Sequence, residues 1–320
     1  MPAASRKNSP PPSGKPRQNK SKPTLSEVID ELPPDVRPVA KKALRIYLYR
    51  SSVEAWSRLA LGVTLDKWQR HLVEVGPGKR AICLVHRQSG KTTAAAIATS
   101  HHLMFGGYPS TSLVLSPTQR QSAEFVRRAR GFLVKAGAKL TADNAFSLQL
   151  ENGARLLGLP GENDASIRGL SIDGMLIVDE AARVQDALVE AAQPMLLRHM
   201  KKARFFMLST AWAKSGVFHR IWSEGDPKDW IKIEATIEQC GHLTPADIER
   251  ERRSMPAAVF AREYLNQFDS LETRFFNPES INRMFGLDDV CVEGVNLQGN
   301  SDEVVHREGA FKNAFKELTF

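Results

Sequence analysis

Residues 81–103 read AICLVHRQSGKTTAAAIATSHHL, and this stretch decides the fold class. An apolar run, AICLV, leads into a short polar loop and then into an alanine-rich segment without a helix breaker. Strand, glycine-containing loop and helix in that order are the context a phosphate-binding loop requires. Gly90 lets backbone N–H groups approach an anion at a helix N-terminus, Lys91 supplies a point charge there, and the Thr92 hydroxyl is suited to ligate Mg²⁺. Arg87, Gln88, Ser89 and Thr93 complete the candidate nucleotide-binding loop. Its window runs from Val85 to Thr92, so Val85 stands where the usual pattern has its first glycine, and the loop is a variant.

Further apolar runs follow: SLVLS (112–116), MLIVDE (175–180), RFFMLST (204–210) and WIKIEATI (230–237). Short runs of this kind, separated by amphipathic helical stretches, predict an α/β fold with a mostly parallel sheet flanked by helices. FSLQLENGARLLGL (146–159) carries Asn152-Gly153 between alternating segments and predicts a hairpin added to that sheet. Upstream, Thr24-Leu25-Ser26-Glu27 fits a capping box, Pro33-Pro34 interrupts the helix, and helix is expected again through Lys41 to about Leu61. Thr244-Pro245 opens a helix to about Met255, with another from Pro256 to Gln267.

The run at 174–178 ends in Asp179-Glu180, where an α/β sheet presents its ligand-facing groups. Asp179 is the candidate to hold Mg²⁺ through water, and Glu180 to polarise the water that attacks a γ-phosphate. Together with the loop, this points to ATP and Mg²⁺ as ligands and to ATP hydrolysis. Ser209-Thr210-Ala211 ends the next strand and is the candidate to sense the γ-phosphate and pass on its loss. Arg168 and Arg87 are the candidates for an arginine set against the developing charge, with the choice between them open. Gln69 is the candidate to read an adenine edge. Arg127, Arg128, Arg130, Lys201, Lys202 and Arg204 read either as a DNA path or as solvated helix faces.

The whole sequence of 320 residues has 44 Lys+Arg against 36 Asp+Glu. Six basic residues, Arg6 to Lys22, precede the first acid at Glu27 among six prolines, so residues 1–24 read as a disordered basic tail. The rest of the chain is close to neutral. No run approaches the ~18 apolar residues of a spanning helix, and the N-terminus lacks the apolar stretch of a secretory signal, so a cytoplasmic location without membrane is expected. Three cysteines, Cys83, Cys240 and Cys291, fall at no metal-ligand spacing and agree with a reducing compartment.

With these motifs in hand, the chain resembles the ATPase part of the large terminase subunit of tailed bacteriophages. The resemblance runs from Trp68 to Phe268. It rests on Arg87-Gln88-Ser89-Gly90-Lys91-Thr92, on the segment Ser116 to Ser122 (SPTQRQS), on Ser166-Ile167-Arg168-Gly169 and on Ile177 to Ala182 (IVDEAA). Ser209-Thr210-Ala211 with Gly216-Val217-Phe218, and Glu263-Tyr264-Leu265 through Phe268, complete it. It implies a P-loop NTPase of the ASCE, RecA-like type in which Lys91 and Thr92 bind nucleotide and Mg²⁺ and Glu180 is catalytic. It also implies that Ser209-Thr210-Ala211 couples hydrolysis to movement and that Arg87 or Arg168 contacts phosphate charge within a subunit or across a ring. The implied role is packaging of double-stranded viral DNA into a procapsid, in the host cytoplasm at the portal. The implied partners are DNA, the portal protein, a small terminase subunit and further copies in a homo-oligomeric ring.

The expected organisation is a tail over 1–24, a helical segment over 25–66, an ATPase core over 67–240, C-terminal helices over 241–270 and a short tail over 271–320. Family members commonly continue with a nuclease domain of clustered acids. After Ser270 this chain has Asp288, Asp289, Glu293, Asp302 and Glu303 without an apolar strand pattern, so nuclease activity is not expected. Two other readings are a helicase, since Asp179-Glu180-Ala181-Ala182 and Ser209-Thr210-Ala211 echo helicase motifs, and an inactive prophage remnant that binds nucleotide or DNA.

Overall fold

The computed structural model describes residues 29–106, 109–160, 169–240 and 243–269. The basic tail, the capping box at Thr24, Arg168 and the acids beyond Ser270 lie outside the described residues.

The apolar runs form one eight-stranded sheet. Its strands are β1 (Arg80–Val85), β2 (Thr111–Ser116), β3 (Leu140–Asp143), β4 (Ser147–Leu150), β5 (Arg155–Pro160), β6 (Met175–Asp179), β7 (Arg204–Ser209) and β8 (Ile231–Ala235). Their spatial order is β3-β4-β5-β2-β6-β7-β1-β8. From β5 to β8 every neighbouring pair is parallel, while β3-β4-β5 is antiparallel. The expected hairpin is present as β4 and β5, and the intervening Gly153 has φ +83. β3 has no counterpart in the sequence pattern: three of its four residues are exposed, so it carries no apolar signal.

The parallel strands are buried on both faces because helices cover both. The described α-helices include α1 (Arg37–Ser51), α2 (Val53–Ala60), α3 (Lys67–Val73), α4 (Lys91–Phe105), α5 (Gln119–Lys135), α6 (Asp186–Ala192), α7 (Gly216–Glu224), α8 (Pro245–Arg253) and α9 (Ala257–Tyr264), of which α2 to α7 contribute to the two sheet-face cores. Side chains alternate between the faces at the strand period of two. Ala81, Cys83 and Val85 pack with Leu72 of α3, the alanines of α4 and Phe125 of α5. Ile82 and Leu84 pack on the other face with Leu188 and Val189 of α6 and Val217 and Phe218 of α7. Helix α4 is buried on nearly every side, and Ala94, Ala95, Ala96 and Ala98 let it lie close to the sheet.

The single helix expected to run to Leu61 is broken at Ser52. Ser52 is extended, its hydroxyl accepts from Ala55 N, and it donates to a Glu74 carboxylate oxygen at 2.9 Å that also accepts from Glu54 N at 3.0 Å. The break turns α2 inward, so that Trp56 is fully buried edge-on against His101. No helix among the described residues is long and apolar enough to cross a membrane.

Candidate functional site

The C-terminal ends of the parallel strands bring the predicted residues together. β1 ends at Val85, and Gln88 (φ +59) and Gly90 (φ +80) reverse the chain into α4. A Cβ on residue 90 would lie 2.8 Å from Gln69 Nε2, so the glycine meets both a positive φ and a close approach. The first N–H groups of α4 have no carbonyl one turn back, which makes this helix start an anion-binding position. Gln69 donates to the Ser89 carbonyl at 2.9 Å and accepts from Asp66 N at 2.9 Å. Its amide thus ties the loop to the start of α3, and reading a base edge would require those bonds to exchange.

Lys91 is buried, and its ammonium lies 2.9 Å from a Glu180 carboxylate oxygen. Thr92 donates its hydroxyl proton to Asp179 Oδ2 at 2.8 Å. Loop and acid pair therefore meet across the sheet, with β7 between the strands that carry them. Burial pushes the Asp179 carboxyl up to about 6; Lys91 opposes the shift, the neighbouring Glu180 adds to it, and the Thr92 hydrogen bond opposes it. Glu180 sits in the left-handed region at φ +55, which costs a non-glycine residue about 1–3 kcal/mol.

Ser209 lies beside Leu84 in register, and its hydroxyl accepts from Ala182 N at 3.2 Å. Thr210 and Ala211 are buried next to it. Thr93 accepts from Arg128 at 2.7 Å, and Arg87 is exposed. Among the described residues, Ser89 Oγ, Ser116 Oγ and Thr210 Oγ1 are buried without a hydrogen-bond partner, and all three lie at this edge of the sheet. Buried hydroxyls are normally satisfied, so three orphans at one edge mark a place built for oxygens from outside the chain. No group of three or more His, Cys, Asp or Glu able to hold a metal occurs among the described residues. A cation here would rest on Thr92, Asp179 and ligand oxygens.

Sequence reading singles out Glu263 only within the family resemblance and misses Arg183, Arg262 and Trp212, which with it join this site to α9. Arg87 N donates to the Glu263 carbonyl at 2.7 Å. The buried Glu263 carboxylate holds Arg183 at 3.4 Å and Arg262 at 3.2 Å. Both guanidinium groups stack on Trp212, at 4.1 and 5.0 Å from its ring centre, and Arg262 also pairs with Asp269 at 2.8 Å. A lone arginine after Asp-Glu-Ala-Ala carries no motif that singles it out. The six basic residues considered for a DNA path divide. Arg127 and Arg128 pair with Glu124, Arg130 pairs with Asp143, Lys201 and Lys202 are exposed, and Arg204 is buried at the start of β7.

A family model described as the N-terminal part of T4-like-virus-type terminase large subunits matches residues 82–283. Among solved structures, the large terminase ATPase domain of Thermus phage P74-26 is 20% identical with a TM-score of 0.58, over 69% of this chain and 99% of that one. The large terminase of bacteriophage HK97 is 18% identical with a TM-score of 0.56, over 69% of this chain and 55% of that one. The large terminase of a thermophilic bacteriophage, in complex with ATP-γ-S, is 15% identical with a TM-score of 0.53, over 64% of this chain and 53% of that one. The chain thus spans about half the length of the latter two terminases, and at these identities the likeness shows the fold. No curated protein matches it.

Proposed function

The chain belongs to the terminase large subunits of T4-like-virus type, matched over their N-terminal part, and on that premise we propose that it hydrolyses ATP to drive double-stranded viral DNA into a procapsid. The observation that carries the ATPase reading is the pair of contacts across the sheet: Lys91 to Glu180 at 2.9 Å and Thr92 to Asp179 at 2.8 Å. They join a helix N-terminus, a buried cation, a hydroxyl and two carboxylates in one place, which is the equipment of phosphoryl transfer to water.

Each residue then has a role. The loop N–H groups and Lys91 bind the β- and γ-phosphates. Once Lys91 turns to phosphate oxygens it gives up Glu180, whose carboxylate becomes free to orient a water and accept its proton. Thr92 and Asp179 fit Mg²⁺, because a hydroxyl and a carboxylate converge at 2.8 Å at the start of α4. Bound there, the ion would neutralise charge on the phosphates. Thr210, buried and unpartnered among the described residues, is suited to donate a hydrogen bond to the γ-phosphate, and Ser209 carries the change to the backbone after Glu180. Arg87 or Arg168 supplies the additional positive charge, from the same chain or a neighbour. The family reading brings the partners: DNA, the portal, a small subunit and a homo-oligomeric ring, in the host cytoplasm at the procapsid.

Steady-state ATP hydrolysis with and without duplex DNA tests this. Lys91→Ala and Glu180→Gln are expected to lower kcat by at least about 100-fold, the scale of a lost general base, while Glu180→Gln keeps ATP affinity. Duplex DNA is expected to raise the wild-type rate. Unchanged turnover in both variants would refute the site.

A further inference from the structure

Apart from Asn266 Oδ1, the buried orphan atoms among the described residues fall into two groups, and only one belongs to the nucleotide site. His102 Nε2 and Ser110 Oγ are also buried without a hydrogen-bond partner among the described residues. Both residues line a cavity of about 500 Å³ at the opposite edge of the sheet, where the parallel strands begin. Helix α4 separates the two places: it leaves the phosphate loop at Lys91 and reaches the cavity with His101, His102 and Phe105. Its 15 residues span about 22 Å at ~1.5 Å each.

The cavity holds a buried cation, Arg204, that forms no ion pair among the described residues. Arg204, only 7% exposed, makes one hydrogen bond, to the Val75 carbonyl at 3.3 Å, and has no carboxylate within ion-pair distance among the described residues. The two carboxylates that line the cavity act on Arg204 and His102 only through space and direct their hydrogen bonds to other groups. Glu74 accepts from Ser52 and Glu54, and Asp173 accepts from Thr111 N at 2.7 Å. Burial draws the Arg204 guanidinium down to about 10, partly opposed by Glu74, and burial with Arg204 draws His102 down to about 4, so its imidazole is neutral at pH 7. Lys202 and Arg50 stand exposed among the lining residues. The C-terminal dipole of α4 offsets part of this positive charge, yet it supplies no oxygen to the guanidinium. A desolvated charge without a close counter-charge is costly, and an anion entering the cavity would offset that cost.

We propose that this cavity is a second anion site, which takes a small phosphate-bearing ligand at the strand-start edge of the sheet. The Arg204 fork grips two phosphate oxygens, Ser110 and His102 meet the others, and Lys202 and Arg50 add charge from the rim. A phosphate suits this set better than a carboxylate, because donors stand on several sides and only a tetrahedral oxyanion offers oxygens to all of them. The recess excludes a backbone phosphate of duplex DNA, since Arg204 is almost wholly enclosed.

Isothermal titration of the full chain with inorganic phosphate at fixed ionic strength, against a chloride control, tests the proposal. Lys91→Ala is expected to keep this binding, while Arg204→Gln lowers the affinity at least tenfold. Should Arg204→Gln fail to fold, the double variant Ser110→Ala/Lys202→Ala gives the same readout and is expected to show a comparable loss. A 5′-phosphorylated duplex is expected not to compete. Absence of phosphate binding in Lys91→Ala, undiminished binding in the cavity variants, or competition by the duplex would each overturn the assignment. None of these outcomes depends on ATP turnover, so the two readings fail separately.

Discussion

Asp179→Asn should make the free protein more stable while abolishing what the carboxylate is for. The side chain is 4% exposed, and burial moves its carboxyl from the ordinary 3.8 to about 6. That rise corresponds to about 3 kcal/mol at ~1.36 kcal/mol per pH unit. The sign follows from the direction. A carboxyl raised in the folded state binds its proton more tightly there than in the unfolded chain, so its stabilising share is complete below 3.8 and is lost as pH rises through about 6. At pH 8 the wild type thus carries the whole cost of a buried charge. Asparagine removes that charge and keeps a partner for the Thr92 hydroxyl, which can turn to accept from the amide. Desolvating the amide offsets part of the gain, leaving about 1–3 kcal/mol, or ~2–10 °C in Tm for a domain of this size. Thermal melting of wild type and variant at pH 8, 7, 6 and 5 reads this directly: the gain should be largest at pH 8 and shrink toward pH 5. Mg²⁺-dependent ATP binding should be lost. A variant less stable than wild type at pH 8, or a gain that does not change with pH, would refute the reasoning.

Other expectations follow from the same contacts. Wild-type ATP turnover should decline as pH falls through about 6, because protonated Asp179 no longer attracts a cation; a flat profile between pH 8 and 5.5 would contradict it. Gly90→Ala forces a Cβ to φ +80 and to 2.8 Å from Gln69 Nε2, so it should cost about 1–2 kcal/mol and weaken ATP binding, read by chemical denaturation and by titration. Arg262→Ala leaves Glu263 with Arg183 alone and should cost about 2 kcal/mol. Arg262→Lys should restore little of it, because a lysine lacks the planar fork that bonds Glu263 and Asp269 while lying against Trp212; full rescue by lysine would reduce the contact to simple charge.

What can be read in the sequence is whatever depends on near neighbours along the chain. The phosphate loop lies within one strand, turn and helix, and Asp179-Glu180 ends a run whose burial on both faces leaves no polar residue before it, so both stand out as strings. Even Gly90 declares its conformation. Ser52 does not break the expected helix on paper, because a serine interrupts a helix only when something distant holds it, here the Glu74 carboxylate 22 residues on. Arg204 looks, beside Lys201 and Lys202, like one more surface charge. Its burial depends on β7 lying between β6 and β1 and on Val75 arriving from the loop before β1, which is a property of the assembled sheet. Gln69 reads in the sequence as a candidate for a base edge, yet its bond to the Ser89 carbonyl is a contact between two segments that no spacing rule connects.

The same distinction explains why Glu263, marked in the sequence only as part of the family resemblance, gives no sign there of the contacts it makes. Its carbonyl holds the phosphate loop through Arg87 N, and its carboxylate holds Arg183, whose own N–H bonds to the Glu180 carbonyl at 2.8 Å. Through Arg183 and Arg262 it also fixes Trp212, the residue after Ser209-Thr210-Ala211, and the backbone there bridges onward from Ala213 to Asp269. The loop, the acid pair and the segment after Ser209-Thr210-Ala211 therefore share one residue, Glu263, the first through its carbonyl and the others through its carboxylate. If Lys91 leaves Glu180 for a phosphate, the turn from Glu180 to Arg183 loses an anchor at one end and keeps the other at Glu263. A shift of that turn would reach α9 through the Arg183–Glu263 pair. That route predicts that Glu263→Gln, which preserves shape but surrenders the charge that holds two arginines, should weaken the stimulation of hydrolysis by DNA more than it weakens ATP binding. Equal losses in both would mean that Glu263 only supports the loop.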